Sequence, residues 1–282
     1  MIYEKAPAKI NLTLDVLYKR DDGYHEVEMV MTTVDLSDRL GFECLNVNKV
    51  VIDSENRFVP DDHRNLAYQA AQVFKEYCGI KSGVKIEIDK NIPVAAGLAG
   101  GSSDAAATIR GLNRLFTTNL TNREMEKMAE QIGSDVPFCI QGGTQLATGR
   151  GEVLDPLPPL PPCYVVLAKP NIGVSTKEVY DRVNFERMKH PHTKKVIKAL
   201  NNQDFSSVCD RLENVLEPIT VSMHKEIPQI KEQMVNAEAD GVLMSGSGPT
   251  VYALVKQESK ADRIYNSLKG FCQEVYIVHS LR

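Results

Sequence analysis

A glycine-rich turn that leads from an apolar strand into an alanine-rich helix contains residues whose types and spacing could do chemistry. The turn is the stretch Pro93-Val-Ala-Ala-Gly-Leu-Ala-Gly-Gly-Ser-Ser-Asp-Ala-Ala-Ala107. Glycines let a backbone approach a ligand closely, and the N–H groups in the first turn of a helix attract anions. The order therefore predicts a site for the phosphates of a nucleoside triphosphate. The stretch is neither a Walker A loop nor a Rossmann G-x-G-x-x-G pattern, and a Gly/Ser turn by itself is more often only a turn.

A carboxylate and an ammonium elsewhere in the chain could act on an alcohol beside such phosphates. Asp135 follows the end of a predicted helix at Gly133, and we expect Pro137 to hold the chain extended there. Lys9 and Asn11 share the polar face of a predicted strand. An aspartate in this position is usually a turn former and a strand lysine is usually solvated. In a small-molecule kinase, the carboxylate would accept the alcohol proton while the ammonium offsets charge on the hydroxyl or the phosphoryl group.

Two further turns have both a plain and a functional interpretation. The segment Asp21-Asp-Gly-Tyr-His-Glu26 is either a simple hairpin turn or a wall for a ring-bearing substrate, with Tyr24 stacking and His25 hydrogen-bonding. The segment Ser245-Gly-Ser-Gly-Pro-Thr250 is either a hairpin turn or a second loop whose small residues let the backbone reach a phosphate.

The composition is that of an ordinary soluble enzyme, with 43% apolar and 25% charged residues. A net charge of −4 argues against nucleic acid or an acidic membrane as the main partner. No apolar run approaches the ~18–20 residues of a membrane span, and the N-terminus lacks a signal-peptide pattern, so we expect a cytoplasmic protein. The six cysteines are far apart with no C-x-x-C pair, which predicts buried free thiols rather than a disulfide framework or a zinc site.

Strands and helices alternate along the chain and must position these residues. Alternation over 8–16 predicts a strand with one face buried, and Asn65 can cap a helix that ends at Gly79. The predicted buried stripe of that helix is Leu66, Ala70, Val73, Phe74 and Tyr77. Thr121 opens a capping-box helix that buries Met125, Met128 and Ile132 and stops at Gly133. Further strands are predicted at 29–34, 84–88, 163–168, 242–244, 251–255 and 275–278, and further helices after the glycine turn and near 193–200, 203–212, 227–239 and 259–269.

A proline-rich stretch marks the clearest boundary. Five of the 14 prolines fall within 156–162, which excludes a helix interior or a central strand there. We predict an N-terminal domain over 1–155, a stiff linker over 156–162 and a C-terminal domain over 163–282; the alternative is a long loop within one domain. The fold class is α+β, with helices packed on mostly antiparallel sheets.

Six motifs stand in one order along essentially the full chain. They are Ala6-Pro-Ala-Lys-Ile-Asn-Leu12, Asp22-Gly-Tyr-His-Glu26, Asn65-Leu66, Ile92-Pro93 through Ala107, Gly133-Ser-Asp-Val-Pro-Phe138 and Met244-Ser-Gly-Ser-Gly-Pro-Thr250. Through them the chain resembles the GHMP kinase superfamily. The resemblance implies a two-lobed GHMP kinase fold, with an N-terminal lobe like ribosomal protein S5 domain 2, a ferredoxin-like C-terminal lobe and an active site between them.

The resemblance also implies a reaction, in which the γ-phosphoryl group of ATP moves to a hydroxyl of a small substrate that carries a cytosine. Asp135 is implied to be the base and Lys9 its partner, and Mg²⁺ to bridge the phosphates, with Ser103 or Asp104 as candidate protein contacts. The implied substrate-binding residues are Asn11, Tyr24, His25, Asp135 and Tyr180. The implied ATP-binding residues are Asn65, near the adenine, together with Pro93, Val94, Ala95, Ala96, Gly97, Leu98, Ala99, Gly100, Gly101, Ser102 and Ser103.

The chain departs from similar enzymes in its phosphate loop, where Ala95, Ala96 and Ala99 stand at positions that often hold glycine. A positive φ at any of them would cost about 1 kcal/mol. We therefore expect a slightly stiffer loop with intact nucleotide binding. We also expect the protein to be a monomer or a homodimer. The alternatives are a sister kinase acting on mevalonate, homoserine or a sugar, a related diphosphate decarboxylase, and a non-catalytic nucleotide-binding relative.

Overall fold

The computed structural model describes residues 1–186 and 188–281. Its elements are, in chain order, β1 (Ile2–Lys19), β2 (His25–Leu45), β3 (Val50–Asp53), α1 (Leu66–Cys78), β4 (Gly83–Asp89), α2 (Gly100–Leu115), α3 (Asn122–Ala129), α4 (Val136–Gln141), β5 (Thr144–Thr148), β6 (Val153–Leu157), β7 (Tyr164–Lys169), α5 (Thr176–Asp181), α6 (Thr193–Asn201), α7 (Phe205–Cys209), β8 (Glu213–Asn214), α8 (Glu217–Met223), α9 (Glu226–Asn236), β9 (Gly241–Met244), β10 (Val251–Val255), α10 (Glu258–Leu268) and β11 (Glu274–His279). This mixture of helices and mainly antiparallel strand pairs confirms the predicted α+β class.

Two compact units make up the chain, and each is assembled from several segments. The first consists of Met1–Ala8, Leu36–Val94 and Ala99–Gly142, and the second of Lys9–Asp35, Ala95–Leu98 and Gly143–Arg282. The division into 1–155, 156–162 and 163–282 stays a prediction. The proline-rich stretch begins inside β6, which pairs with β5.

The first unit packs helices against a small sheet. In this unit β4 pairs in parallel with β3 and antiparallel with the second half of β2. Helix α2 packs against α1 and α4. Gly111 permits the close approach of α2 to the sheet, because a Cβ there would lie 2.3 Å from Cε2 of the Phe42 ring. Packing in a buried core therefore fixes α2, the helix that follows the glycine turn.

The second unit contains a four-stranded antiparallel sheet in the order β11-β7-β10-β9. Of the four strands of this sheet, β7 comes first along the chain, then β9, β10 and β11, so the order across the sheet is fourth, first, third, second. Helix α9 precedes the second of these strands and α10 precedes the fourth. Both helices bury apolar side chains against the sheet, among them Ile230, Met234, Ile264 and Leu268. This arrangement is the expected ferredoxin-like lobe.

Strand β1 differs from its prediction because it is buried on both faces over Lys9–Val16. Its polar side chains have partners there: the Thr13 Oγ1 accepts the Val30 N–H at 3.1 Å, and the Asp15 Oδ1 lies 2.9 Å from the His190 Nδ1. Alternation of residue types does not distinguish a polar face exposed to solvent from one whose polar groups are buried and hydrogen-bonded within the protein. The prediction that this strand has only one buried face is therefore wrong.

Three predictions of local structure need correction. In α1 the Asn65 cap and the Gly79 end are confirmed. The predicted buried stripe is partly wrong, because the helix buries small residues against α2. Leu66 and Val73 are only half-buried, and Tyr77 is 54% exposed. The buried side chains of α1 are Ala67, Ala70, Ala71, Phe74 and Lys75. In α3 the Thr121 capping box is confirmed, but the helix ends at Ala129 rather than near Gly133.

The third correction concerns the segment after Asp135, which is not extended. Residues 136–141 form the helix α4, with Pro137 in its first turn. An N–H group in the first turn has no acceptor within the helix, so a proline there removes no helical hydrogen bond.

The six cysteines are free, as predicted, but Cys44 is exposed and Cys78 half-buried. None of the helices in the described part of the chain has the length and apolar character needed to cross a bilayer.

Candidate active site

The glycine turn is a bent loop that ends at the start of α2. Three of its residues have positive φ angles: Ala95 at 52°, Gly97 at 74° and Ala99 at 56°. The first bond of α2 runs from the Ser103 N–H to the Ala99 carbonyl, at 2.8 Å. The N–H groups before Ser103 have no acceptor within the helix, and the first turn contains no acidic side chain. This end of α2 is therefore suited to bind an anion.

In the second unit, the loop segment Ala95–Leu98 is held from two sides. The Lys9 N–H donates to the Leu98 carbonyl at 3.1 Å. From the loop between β9 and β10, the Ser245 hydroxyl donates to the Gly97 carbonyl at 2.9 Å and the Thr250 N–H donates to the Ala96 carbonyl at 3.3 Å. A Cβ on Gly97 would lie 2.3 Å from the Ser245 carbonyl oxygen, so only glycine fits between the two loops.

The remaining predicted loop residues lie in the first unit. Pro93 is buried and Val94 is exposed, whereas Gly100 and Ser102 are half-buried and Gly101 is exposed. Ser103 is fully buried, and its hydroxyl donates to the Pro7 carbonyl at 2.7 Å.

Asn65 lies at the start of α1, beside the start of α2. The Leu66 side chain would lie 3.6 Å from a Cβ on Gly101, which places the two helix starts next to each other. The Asn65 side chain accepts the Ala67 N–H at 2.8 Å and donates to the Pro60 carbonyl at 2.7 Å. These bonds give Asn65 a capping role, and its contact with adenine stays a prediction.

Lys9 and Asn11 are joined on β1. The Lys9 ammonium donates to the Asn11 Oδ1 at 2.7 Å, and both residues are buried. The Asn11 carbonyl accepts the hydroxyl of the fully buried Tyr252 at 2.8 Å. This bond links β1 to β10 of the four-stranded sheet.

Asp135 occupies the N-cap position of α4 and is half-buried. Its side chain does not cap the helix, so the carboxylate is directed to other contacts. Arg110 of α2 donates to the Cys139 carbonyl of α4 at 2.7 Å and thereby holds this short helix in place.

Aromatic rings gather around the hairpin between β1 and β2. His25 lies 5.1 Å from the Tyr180 ring and 6.1 Å from the Phe185 ring, measured between centroids, and the second pair is stacked. Tyr24 is 54% exposed, and the Arg150 guanidinium lies 5.1 Å from its ring centroid. Burial lowers the pKa of His25 below 6.5, and the charge of Lys19 lowers it further. His25 is therefore a neutral imidazole at pH 7.

Sequence reasoning missed Phe185 and Arg150. Phe185 follows Tyr180 closely enough to have been a candidate second ring. Arg150 lies in a glycine-rich turn with no distinguishing pattern, so nothing in the sequence pointed to it.

The two residues suggested as contacts for Mg²⁺ are both buried, and their role stays a prediction. The Ser103 hydroxyl is buried against Pro7, and the Asp104 carboxylate is paired with Lys90 at 2.6 Å. The described residues contain no cluster of three His, Cys, Asp or Glu side chains with metal-binding geometry.

Comparisons with known proteins agree with this geometry. Residues 65–143 match the GHMP kinases N terminal domain and residues 196–274 match the GHMP kinases C terminal domain. A Bacillus licheniformis protein named 4-diphosphocytidyl-2-C-methyl-D-erythritol kinase is 59% identical over 280 residues, which are 99% of this chain and 97% of the relative. The chain belongs to the 4-diphosphocytidyl-2-C-methyl-D-erythritol kinase family of GHMP kinases. It is an ATP-dependent small-molecule kinase.

Solved structures extend the comparison for this kinase. A crystal structure of 4-(cytidine 5'-diphospho)-2C-methyl-D-erythritol kinase matches with a TM-score of 0.84 and 32% identity, with 99% of each chain covered. A homoserine kinase from Cytophaga hutchinsonii matches with a TM-score of 0.78 at 20% identity, over 99% of this chain and 94% of its own. At that identity the second match shows a shared fold alone.

Proposed function

We propose that this kinase transfers the γ-phosphoryl group of ATP to the 2-hydroxyl of 4-diphosphocytidyl-2-C-methyl-D-erythritol. The reaction belongs to the methylerythritol phosphate route to isoprenoid precursors. The observation that carries the proposal is near full-length similarity, at 59% identity, to a relative of that name. The bent glycine loop at the start of α2 supports the same reaction, because it offers N–H groups to a phosphate chain.

ATP is proposed to lie with its phosphates on residues 93–103. The adjoining starts of α1 and α2 support this placement. Leu66, the first residue of α1, lies beside Gly101, and Asn65 directly precedes Leu66. Mg²⁺ is proposed to accompany the phosphates and to neutralise part of their charge.

Asp135 is proposed to accept the proton of the substrate hydroxyl. At the same time the hydroxyl oxygen bonds to the γ-phosphorus, and the bond from that phosphorus to ADP breaks. The acceptor is a tertiary alcohol, which is a crowded nucleophile, so positioning must supply much of the rate. The Lys9 ammonium is proposed to offset the negative charge of the transferring group. Its fixed bond to Asn11 supports this role, because a preorganised charge needs no rearrangement during the reaction.

The cytosine ring is proposed to bind among Tyr24, His25 and Tyr180. The neutral His25 imidazole has one donor and one acceptor nitrogen, which suits the edge of a pyrimidine base. The ring of Phe185 beside His25 adds a further apolar wall. The kinase is proposed to act in the cytoplasm, as a monomer or a homodimer.

Phosphorus NMR tests the reaction directly. The purified kinase is incubated with Mg·ATP and 4-diphosphocytidyl-2-C-methyl-D-erythritol, and with mevalonate or homoserine in parallel. We expect a new phosphomonoester signal, with matching ADP, in the cytidyl reaction alone. ADP formed only with mevalonate or homoserine would contradict the proposal.

The role of the base is tested with Asp135→Asn, for which we expect kcat to fall about 10²–10⁴-fold. Binding of ATP should survive, because the variant leaves the glycine loop intact. The matched control is Asp155→Asn on β6, which removes an exposed carboxylate and should leave kcat unchanged. Equal rates in the two variants would exclude Asp135 as the base.

A further inference from the structure

The carboxylate of Asp15 is buried on β1 and has no part in the proposed chemistry. The residue is 3% exposed, and its Oδ1 and Oδ2 lie 2.9 Å and 3.0 Å from the Nδ1 of His190. An ionised carboxylate only accepts hydrogen bonds, so the His190 Nδ1 carries the proton and donates it. A buried carboxylate without a donor is costly. The position of His190 is therefore tied to that of Asp15.

His190 lies near the end of the segment that joins α5 to α6, of which residues 182–186 and 188–192 are described. We call these residues the connecting segment. The hydrogen bonds of residues 182–186 have partners within four positions along the chain. Asp15, by contrast, is 175 positions from His190. Among the described residues of the connecting segment, only His190 makes a hydrogen bond that reaches beyond the adjoining helices.

The same part of the chain brings two rings onto His25. The Tyr180 ring of α5 and the Phe185 ring of the connecting segment have centroids 5.1 Å and 6.1 Å from that of His25. His25 is the first residue of β2, and Asp15 lies on the neighbouring strand β1. All of these residues belong to the second unit. The connecting segment is thus attached to the hairpin of β1 and β2 twice, by ring contacts and by one bond to a buried charge.

Stability alone does not account for the bond between Asp15 and His190. A buried ionic bond adds little net stability, because the cost of removing the charge from water offsets the attraction. Loss of one partner is nevertheless costly, since a buried charge is then left without a donor. The bond therefore favours one position of the connecting segment over all others.

We propose that Asp15 and His190 are positioning residues for the cytidyl substrate, whose bond keeps the connecting segment and its ring on His25. This inference rests on the proposed binding of cytosine among Tyr24, His25 and Tyr180. Neither residue has a role in the proposed phosphoryl transfer, so the bond acts on substrate affinity and not on the chemical step. A segment that is in place only part of the time lowers the apparent affinity by that fraction.

Steady-state kinetics with each substrate varied in turn test the inference. The His190 side chain is 51% exposed, so its removal opens no buried cavity. For His190→Ala we expect the KM for the cytidyl substrate to rise about tenfold, while kcat and the KM for ATP stay within about twofold. His190→Asn keeps an N–H donor near the position of the Nδ1 and should restore most of the affinity.

A double variant covers the case in which His190→Ala folds poorly because the Asp15 charge has lost its donor. Asp15→Asn combined with His190→Ala leaves no unpaired charge in the interior, and it should show the same rise in the KM for the cytidyl substrate. The matched control is His192→Ala in the same segment. His192 is exposed and its side chain makes no capping bond, so this variant should keep the KM of the unmodified kinase.

Hydrogen exchange measures the attachment without turnover. The N–H groups of Val183 and Glu186 should exchange about tenfold faster in His190→Ala than in His192→Ala, because the segment is then free to move. The inference is overturned if exchange is the same in the two variants, if His190→Ala keeps its KM for the cytidyl substrate, or if its KM for ATP rises in parallel. Lack of turnover of the cytidyl substrate by the unmodified kinase would instead contradict the proposed function.

Discussion

The ammonium of Lys9 and the amide oxygen of Asn11 form a buried hydrogen bond of 2.7 Å between two positions on the same face of β1. A lysine is rarely buried unless it has a partner, because removing its charge from water is costly. Asn11 supplies a neutral acceptor that fixes the position of the Lys9 ammonium. The bond thus links the fold of β1 to the proposed chemistry.

Asn11→Ala should lower kcat roughly ten- to a hundredfold, because it removes the acceptor that orients the Lys9 ammonium. The matched control is Thr13→Val, which removes another buried hydrogen bond on the same face of β1. Steady-state kinetics and thermal unfolding of both variants provide the measurement. If both variants lose stability and kcat to the same extent, the effect belongs to the strand and not to Lys9.

Gly97→Ala should reduce kcat/KM for ATP at least about a hundredfold. The φ of 74° is unfavourable for alanine, and the added Cβ would lie 2.3 Å from the Ser245 carbonyl oxygen and 2.9 Å from the Gly248 carbonyl oxygen. Both contacts are with backbone, so the two loops must move apart.

Two glycine controls accompany this variant. Gly23→Ala tests backbone strain without a clash, since its φ is 86° and no atom lies within 4 Å of the new Cβ. Gly173→Ala has open space and no positive φ, and it should behave like the unmodified kinase. Normal ATP kinetics for Gly97→Ala would show that the close approach of the two loops is not needed for ATP binding.

Local chemistry made much of the fold predictable. Asn65 and Thr121 begin their helices as predicted, because a side-chain acceptor before a helix satisfies a free N–H group. The strands over 164–169 and 251–255 contain short runs of apolar residues, which are typical of buried strands. The glycine turn was predicted to lead into a helix, and α2 begins there, whereas its role as an anion site stays a prediction.

Properties that depend on tertiary packing could not be predicted. The buried polar face of β1 and the helix at 136–141 arise from partners distant in the sequence, such as His190 for Asp15 and Arg110 for Cys139. The same reason hid the ion pairs of Lys90 with Asp38 and Asp104, which lie 52 and 14 residues away along the chain. Sequence patterns report periodicity and local bonds, whereas these contacts form only once the chain has folded.

Substrate affinity should depend on pH through His25. Its pKa is lowered below 6.5, mainly by burial, so the ring is neutral from pH 7 upward and becomes charged only in more acidic solution. We expect the KM for the cytidyl substrate to be constant from pH 7 to pH 8 and to rise as the pH falls through the lowered pKa of His25, because protonation removes the acceptor nitrogen of the ring. His25→Gln keeps a donor and an acceptor but cannot titrate in this range, so its KM should not rise. A parallel rise in both proteins would assign the pH dependence to another group.

Ala99→Gly should stabilise the kinase by up to about 1 kcal/mol, because alanine at a φ of 56° is strained where glycine is not. The gain is limited by the greater freedom of glycine in the unfolded chain. The matched control is Ala96→Gly in the same loop, where φ is not positive and the side chain is buried, so that variant should lose roughly 0.5–1 kcal/mol. Urea unfolding with unchanged m-values measures both free energies. Equal destabilisation of the two variants would mean that the loop stores no strain at Ala99.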